Sequence, residues 1–478
     1  MKLTITNFGP VKGKQNYTID LSKDFTLVTG GNGLGKTYLG YLVYGLIKSL
    51  NSPSTFPNKN SDNVLFGELK KIKITKENPV SFDLTLDKVK VFIDEIINSY
   101  RQNINILMGI DKRSASTLFK HLSIDFLNLE DKYNHFLKNK SDLTFSSRST
   151  DSLKIHKEAD KSLVEVSISD EKITTEFSIK GLLNIFLSNY ICENILVNSY
   201  IKRVFYIPVE RNSLYTFSKE LSLKRSEMID KMQSLLLEND QENDLPNYLR
   251  KNAGRYPEAI EDALRQAQDL TQLTKSEADQ VFIDLAVEIE KEILHGEILV
   301  NSDGEVEFAP DKGHTKRVPV HLSASFIKTI SSIIFFLKHI ASKGDMVMID
   351  EPEMNLHPNL QILFARILAR ISNAGVKVWM STHSDYIIAE LNNLCLVGVL
   401  NGKGKQEETA KWGYKPVDYL DKAKMQALYL NGVKVKTQVK IENLEIRDDG
   451  VDIASIDSCL NELNSRTNEL YELYENLD

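Results

Sequence analysis

The sequence predicts an α/β fold with a largely parallel core sheet covered by helices on both faces. Three observations carry this. Short apolar strands alternate with apolar helices in both the first and the last third of the chain. A glycine-rich turn, Gly30 to Thr37, joins one such strand to one such helix. A later apolar strand ends in two adjacent carboxylates, Asp350 and Glu351, at the edge where α/β sheets bind ligands.

The elements follow in order. Leu3 to Phe8, Tyr17 to Leu21 and Phe25 to Thr29 read as three short strands. Lys36 to Leu50 is apolar on most faces, which predicts a buried helix. Asn51 to Asp62, rich in Ser, Asn and Pro, reads as a loop. Residues 63–200 are mixed, with a helical patch at Val91 to Asn103 and alternating pieces at Val164 to Ser169 and Thr174 to Ile179. Val204 to Val209 is a strand running into Glu210-Arg211, and Ser218 to Leu294 has a helical pattern. Ile298 to Val300 and Val306 to Phe308 flank Asp303-Gly304, a hairpin turn. Helix Phe326 to Ile340, strand Met346 to Ile349, helix Leu360 to Ile371 and strand Val376 to Met380 complete the pattern.

The 478 residues suffice for two to four domains, or for one large domain with inserts, at roughly 150 residues per domain. With 42% hydrophobic and 26% charged residues, the chain has enough apolar mass for a sizeable core and is not a disordered polymer. A net charge of -7 excludes a global pull on nucleic acid or anionic lipid. Lys70-Lys71-Ile72-Lys73 is too short a run to reverse that. Cys192, Cys395 and Cys459 lack metal or disulfide spacing, which fits a reducing cytoplasm. The N-terminus alternates like a strand and lacks a signal-peptide core. No apolar run reaches the ~18 residues of a membrane helix, so a cytoplasmic chain with no membrane partner is expected.

Gly30-Gly31-Asn32-Gly33-Leu34-Gly35-Lys36-Thr37 fits the pattern G-x-x-x-x-G-K-[ST] between a predicted strand and a predicted helix. Its glycines let backbone N–H groups turn inward around phosphates, and the helix N-terminus adds partial positive charge. Lys36 is placed to reach the β- and γ-phosphates of ATP, and Thr37 to hold Mg²⁺. Asp350, at the end of Met346 to Ile349, is the second Mg²⁺ residue. Glu351, directly after it, is the candidate base for the water that attacks the γ-phosphate. His383 ends the neighbouring strand and is placed to contact that phosphate and sense its loss.

The run Asp350-Glu351-Pro352-Glu353-Met354-Asn355-Leu356-His357-Pro358 resembles the D-E-P-E-x-x-L-H-P form of Walker B, and Thr382-His383-Ser384 resembles the T-H-S switch. Together with the phosphate loop, these are similar to the ABC-like ATPases related to the OLD proteins. Bacterial anti-phage systems use such ATPases: AriA of PARIS, PtuA of Septu and the ATPase half of Gabija. The resemblance covers about residues 1–50 and 320–395, and Tyr206 to Arg211 looks like a further strand of that family. It implies an ABC-type ATPase head with a helical insertion. Lys36 and Thr37 take the Walker A roles, Asp350 the Mg²⁺ role, Glu351 that of catalytic base and His383 that of switch.

One segment departs from the family. Its signature, L-S-G-G or S-S-G, touches the partner's ATP; here the place reads Leu322-Ser323-Ala324-Ser325-Phe326, without glycine. Ser323 or Ser325 is expected to cap the following helix, either as a plain N-cap or while presenting its N–H groups to a phosphate.

On this reading residues 1–215 hold the first part of the head with a mixed insert, and 216–296 a helical insertion. Residues 297–395 hold the rest of the head, and 396–478 an α/β extension. Too little chain follows His383 for the Toprim nuclease domain of OLD nucleases, and Asp448-Asp449-Gly450 reads as a turn. No heptad array long enough for a chromosome-structuring arm is present. Leu460, Leu463, Thr467, Leu470, Tyr474 and Leu477 follow a/d spacing. An amphipathic helix packed on its own domain is expected there, with an oligomerisation helix as the alternative.

The expected function is an ATPase subunit of a bacterial anti-phage system. It binds ATP and Mg²⁺ between two copies of its head and controls a separately encoded effector nuclease. The alternatives are a RecF-like DNA-repair ATPase and a stand-alone OLD-like nuclease. The acidic charge and the short helical stretch count against the first, and the lack of a further metal-ligand cluster against the second.

Overall fold

A computed structural model describes residues 2–11, 16–51, 79–146, 152–168, 187–196, 201–214, 256–302, 304–311, 317–433, 438–452 and 464–471. Several expectations lie outside these: the loop over 52–62, Lys70 to Lys73, Thr174 to Ile179, residues 218–255, Asp303, Cys459, and the heptad positions Leu460, Leu463, Tyr474 and Leu477.

The first strands are β1 (Lys2–Thr6), β2 (Tyr17–Asp20) and β3 (Phe25–Gly30), and α1 (Lys36–Asn51) follows the glycine-rich turn. Next come β4 (Val80–Asp83), α2 (Leu86–Gln102), β5 (Ser123–Leu127), β6 (Ser141–Ser146), β7 (Ser152–Lys157) and β8 (Leu163–Ile168). The second half runs β9 (Val204–Ile207), α3 (Glu258–Gln268), α4 (Gln280–Ile289), β10 (Gly296–Val300), β11 (Val306–Pro310) and β12 (Val318–Pro319). Then follow α5 (Ser325–His339), β13 (Met346–Asp350), α6 (Pro358–Asn373), β14 (Lys377–Thr382), α7 (Asp385–Gly402), β15 (Met425–Val433) and β16 (Gln438–Leu444).

The core sheet has the order β16-β15-β3-β14-β13-β9. All of its pairs are parallel except the β15–β16 edge. The strands read as continuous apolar runs because both faces are covered. Successive side chains alternate between two cores. Val28, Met346, Met348 and Trp379 point to the core built with α1 and α2. Phe25, Leu27, Val347, Ile349, Val378 and Met380 point to the core built with α4, α5, α6 and α7. Antiparallel sheets β2-β1-β5 and β4-β8-β7-β6 flank the first core, and β10-β11-β12 joins the second.

Register decides where the site forms. Thr382 pairs with Thr29, and Asp350 with Ser381. The C-terminal ends of β3, β14 and β13 therefore lie side by side, although they come from chain positions far apart.

Described residues from two stretches set apart in the sequence pack against the core sheet or pair into it. Within 216–296, the described residues from 256 onward cover it: Ala259 of α3 enters the first core, and Phe282, Leu285 and Ile289 of α4 enter the second. Within 396–478, β15 pairs in parallel with β3 and β16 forms the sheet edge. Residues 464–471 are helical and all exposed, Leu470 and Tyr471 among them. The turn at Asp448-Asp449 closes a short antiparallel pair, with Gly450 at φ +101°. No helix among the described residues is long and apolar enough to cross a membrane.

One buried ion pair ties the segment after α7 to α6. Arg370 Nε and Nη2 donate to the Asp418 carboxylate at 2.6 and 3.1 Å, and Asp418 is fully buried. Asp418→Ala leaves that guanidinium without its main partner, so unfolding free energy should fall by about 3–5 kcal/mol in urea titrations. An unchanged midpoint would show that Glu288 and Glu292, 3.2 and 3.7 Å from Arg370 Nη1, suffice alone.

Candidate functional site

The loop between β3 and α1 takes its shape from glycine. Gly30 sits at φ +140°, where a Cβ would meet the Leu430 carbonyl oxygen at 2.3 Å. Gly35 sits at φ +102°, where a Cβ would meet the Pro10 ring at 2.7 Å. Neither position accepts a side chain, by conformation or by space. Gly31, Asn32, Gly33 and Leu34 form the rest of the turn, and Lys36 and Thr37 begin α1.

Lys36 is only 6% exposed, and among the described residues no carboxylate lies within ion-pair distance of it. Its ammonium donates to the carbonyls of Gly30 and Gly31, each at 3.1 Å, and to His383 Nε2 at 2.6 Å. That last bond requires Nε2 to be the unprotonated acceptor. Burial, then the nearby Lys36 charge, lowers the His383 pKa, which agrees with a neutral ring. Burial also lowers the Lys36 pKa, against the pull of Glu351, Asp350 and Glu353. A buried cation resting on neutral acceptors beside an open glycine loop fits a phosphate chain.

Asp350, 2% exposed at the end of β13, accepts hydrogen bonds from Thr37 Oγ1 at 2.8 Å and from Ser381 Oγ. Burial, followed by the nearby Asp350 charge, pushes the pKa of the Tyr206 phenol well up. Thr37 and Asp350 thus face one another as the oxygen donors that Mg²⁺ takes. Glu351 follows at φ +46°, with its carboxylate 3.7 Å from His383 Nε2 and about one-third exposed. Burial, then Asp350 and Glu353, raises the Glu351 pKa, which suits a proton acceptor near neutral pH.

The structure therefore brings together Lys36, Thr37, Asp350, Glu351 and His383. It does not bring Ser323 or Ser325 to them by any hydrogen bond within the chain. The capping expectation also changes. The N-cap of α5 is Ala324, without a side-chain bond to the helix start. Ser323 Oγ instead donates backward to the Pro319 carbonyl at 3.4 Å, and Ser325 is already inside the helix.

Three residues had no role in the sequence reading. Ser381 binds Asp350. Glu353 accepts from Thr382 Oγ1 at 2.8 Å and from the His383 backbone N–H at 2.7 Å, fixing the Thr382-His383 segment. Arg211 is 1% exposed and lies under the end of β13. Glu353 and Arg211 stood inside runs legible as motif-like, but their contacts are long-range.

A phosphate loop after β3, an acidic pair after β13 and a histidine after β14, at adjacent ends of one largely parallel sheet, define an ABC-type P-loop ATPase head. Residues 1–388 match the AAA ATPase domain, and the chain belongs to that family. Solved structures similar to it include the Smc head bound to the C-winged helix domain of ScpA, at 12% identity and TM-score 0.35, covering 93% of this chain and 97% of that one. Another is the Smc head domain with an extended coiled coil bound to the C-terminal domain of ScpA derived from Pyrococcus furiosus, at 13% identity and TM-score 0.33, covering 97% and 98%. The SMC head domain from Thermotoga maritima aligns at 10% identity and TM-score 0.30, covering 93% and 98%. No curated protein matches the chain.

Proposed function

We propose that this chain hydrolyses ATP with Mg²⁺ at the joint end of β3, β13 and β14, and that it serves as the ATPase subunit of a bacterial anti-phage system. The observation that carries the catalytic part is the convergence of Lys36, Thr37, Asp350, Glu351 and His383 at one sheet edge. Thr37 and Asp350 would hold Mg²⁺, which would supply charge neutralisation to the phosphates. Lys36 leaves its Gly30 and Gly31 carbonyls for the phosphates. Glu351 orients the attacking water and takes its proton. His383, released by Lys36, reads the γ-phosphate.

The wider role rests on the D-E-P-E-x-x-L-H-P and T-H-S resemblance. The head pairs with a second copy around ATP, and Ser323 and Ser325, at the exposed start of α5, face the partner's nucleotide. The chain acts in the cytoplasm on a separately encoded effector nuclease and does not cut DNA itself. In Glu351→Gln, trapped ATP should shift the population to a dimer or larger ring, because a ligand bridging subunits stabilises their association. Light scattering with and without ATP checks this, and a strict monomer in both conditions opposes the shared site.

The functional test is phage challenge of cells expressing the chain with and without its neighbouring gene. Protection is expected only with both. Full protection or DNA cleavage by this chain alone contradicts the subunit role.

A further inference from the structure

Arg211 is a buried cation with an unusual set of partners. Its Nη1 donates to the carbonyls of Pro208 at 3.1 Å and Asp350 at 2.8 Å, and its Nη2 to the carbonyl of Glu351 at 2.7 Å. Among the described residues it forms no ion pair within 4 Å, although Glu353, Asp350, Glu351 and Glu210 all act on it electrostatically. Burial brings its pKa down to about 10, so it stays charged at neutral pH. Arg370 shows the alternative in the same molecule. That arginine, 7% exposed, takes a direct carboxylate, Asp418.

A buried charge held mainly on backbone carbonyls is costly to keep for stability alone. What Arg211 grips gives it another use. Glu351 is a non-glycine residue at φ +46°, a conformation that costs on the order of 1–3 kcal/mol and persists only where its surroundings impose it. The Glu351 N–H is held by the Ser381 carbonyl at 2.9 Å. Its own carbonyl and the preceding one are held by the two arms of the Arg211 fork. A planar guanidinium can span two consecutive carbonyls, whereas an ammonium acts as a point donor. The segment carrying Arg211 is anchored elsewhere too: Asn212 accepts from Thr329 Oγ1 of α5 at 2.7 Å.

We infer that Arg211 is a positioning residue for ATP hydrolysis: by clamping the carbonyls of Asp350 and Glu351 it holds Glu351 in the left-handed conformation that aims its carboxylate at the attacking water. This rests on the proposed role of Glu351 as base. The Arg211 guanidinium is buried on backbone carbonyls, so it acts through Glu351. Its loss should therefore lower kcat and leave ATP binding intact.

The experiment compares the full-length parent, Arg211→Lys, Glu351→Gln and the double variant. Melting curves establish that each is folded, and Arg211→Gln replaces Arg211→Lys if the lysine variant does not fold. Fluorescent-ATP affinity and KM in Arg211→Lys should stay within about threefold of the parent, while kcat falls about 100-fold, the scale expected for a reacting group displaced by an ångström. Affinity for ADP with aluminium fluoride, a mimic of the reacting state, should fall with kcat. In the Glu351→Gln background, Arg211→Lys should change hydrolysis no further, because the two act through one group. A parent-like kcat in Arg211→Lys alongside loss in Glu351→Gln overturns this inference alone. A multiplicative loss in the double variant also overturns it, by assigning Arg211 a role independent of Glu351. Parent-like hydrolysis in Glu351→Gln overturns the reading of the site, and the inference with it.

Discussion

Glu351→Gln is expected to bind ATP as the parent does and to lose hydrolysis by about 10²–10⁴-fold, the contribution of a positioned general base. The substitution keeps the shape of a side chain that is about one-third exposed, and it leaves Lys36, Thr37 and Asp350 in place. What it removes is a carboxylate whose pKa is raised by burial and by the charges of Asp350 and Glu353. Equilibrium titration of ATP and steady-state phosphate assays separate the two effects. Weakened binding with parent-like turnover would assign Glu351 to the phosphates instead.

Lys36→Ala should act on the other quantity. The ammonium is nearly buried and already hydrogen-bonded in the glycine loop, so it meets the phosphates with little loss of freedom. Truncating one partner of a buried, hydrogen-bonded charge pair costs about 2–5 kcal/mol. That corresponds to an ATP affinity lower by about 30-fold to a few thousand-fold. Calorimetric titration reads it directly, and affinity within threefold of the parent would remove Lys36 from the phosphate site. His383 gives a second signal. With its Lys36 neighbour gone, the histidine loses a positive charge that lowers its pKa, so that pKa should rise in an NMR titration of the ring.

The phosphate loop was legible because backbone geometry there admits little besides glycine, and spacing records that need. The acidic strand end was legible because β13 is buried on both faces and its apolar run stops abruptly at Asp350. That Lys36 meets His383, and Thr37 meets Asp350, follows once β3, β14 and β13 are neighbours, an order that alternation alone does not specify. Arg211 stood in a motif-like run, but its role was not legible there, since two of its three carbonyl partners lie about 140 residues away and any residue type supplies them. The same holds for β15. Its pairing with β3 bridges some 400 residues, so a strand within a stretch set apart as an extension lies in the core sheet. Ser323 and Ser325 show the reverse: two good capping residues flank the helix start, yet the backbone places Ala324 at the cap.

The most direct test of the catalytic assignment is the identity of the nucleotide that remains on the protein. Parent and Glu351→Gln are each loaded with Mg²⁺ and ATP, freed of excess, and their bound nucleotide is separated by chromatography over time. The expected result is ADP on the parent and ATP persisting on Glu351→Gln. ADP forming on Glu351→Gln at the parent's rate would contradict the assignment.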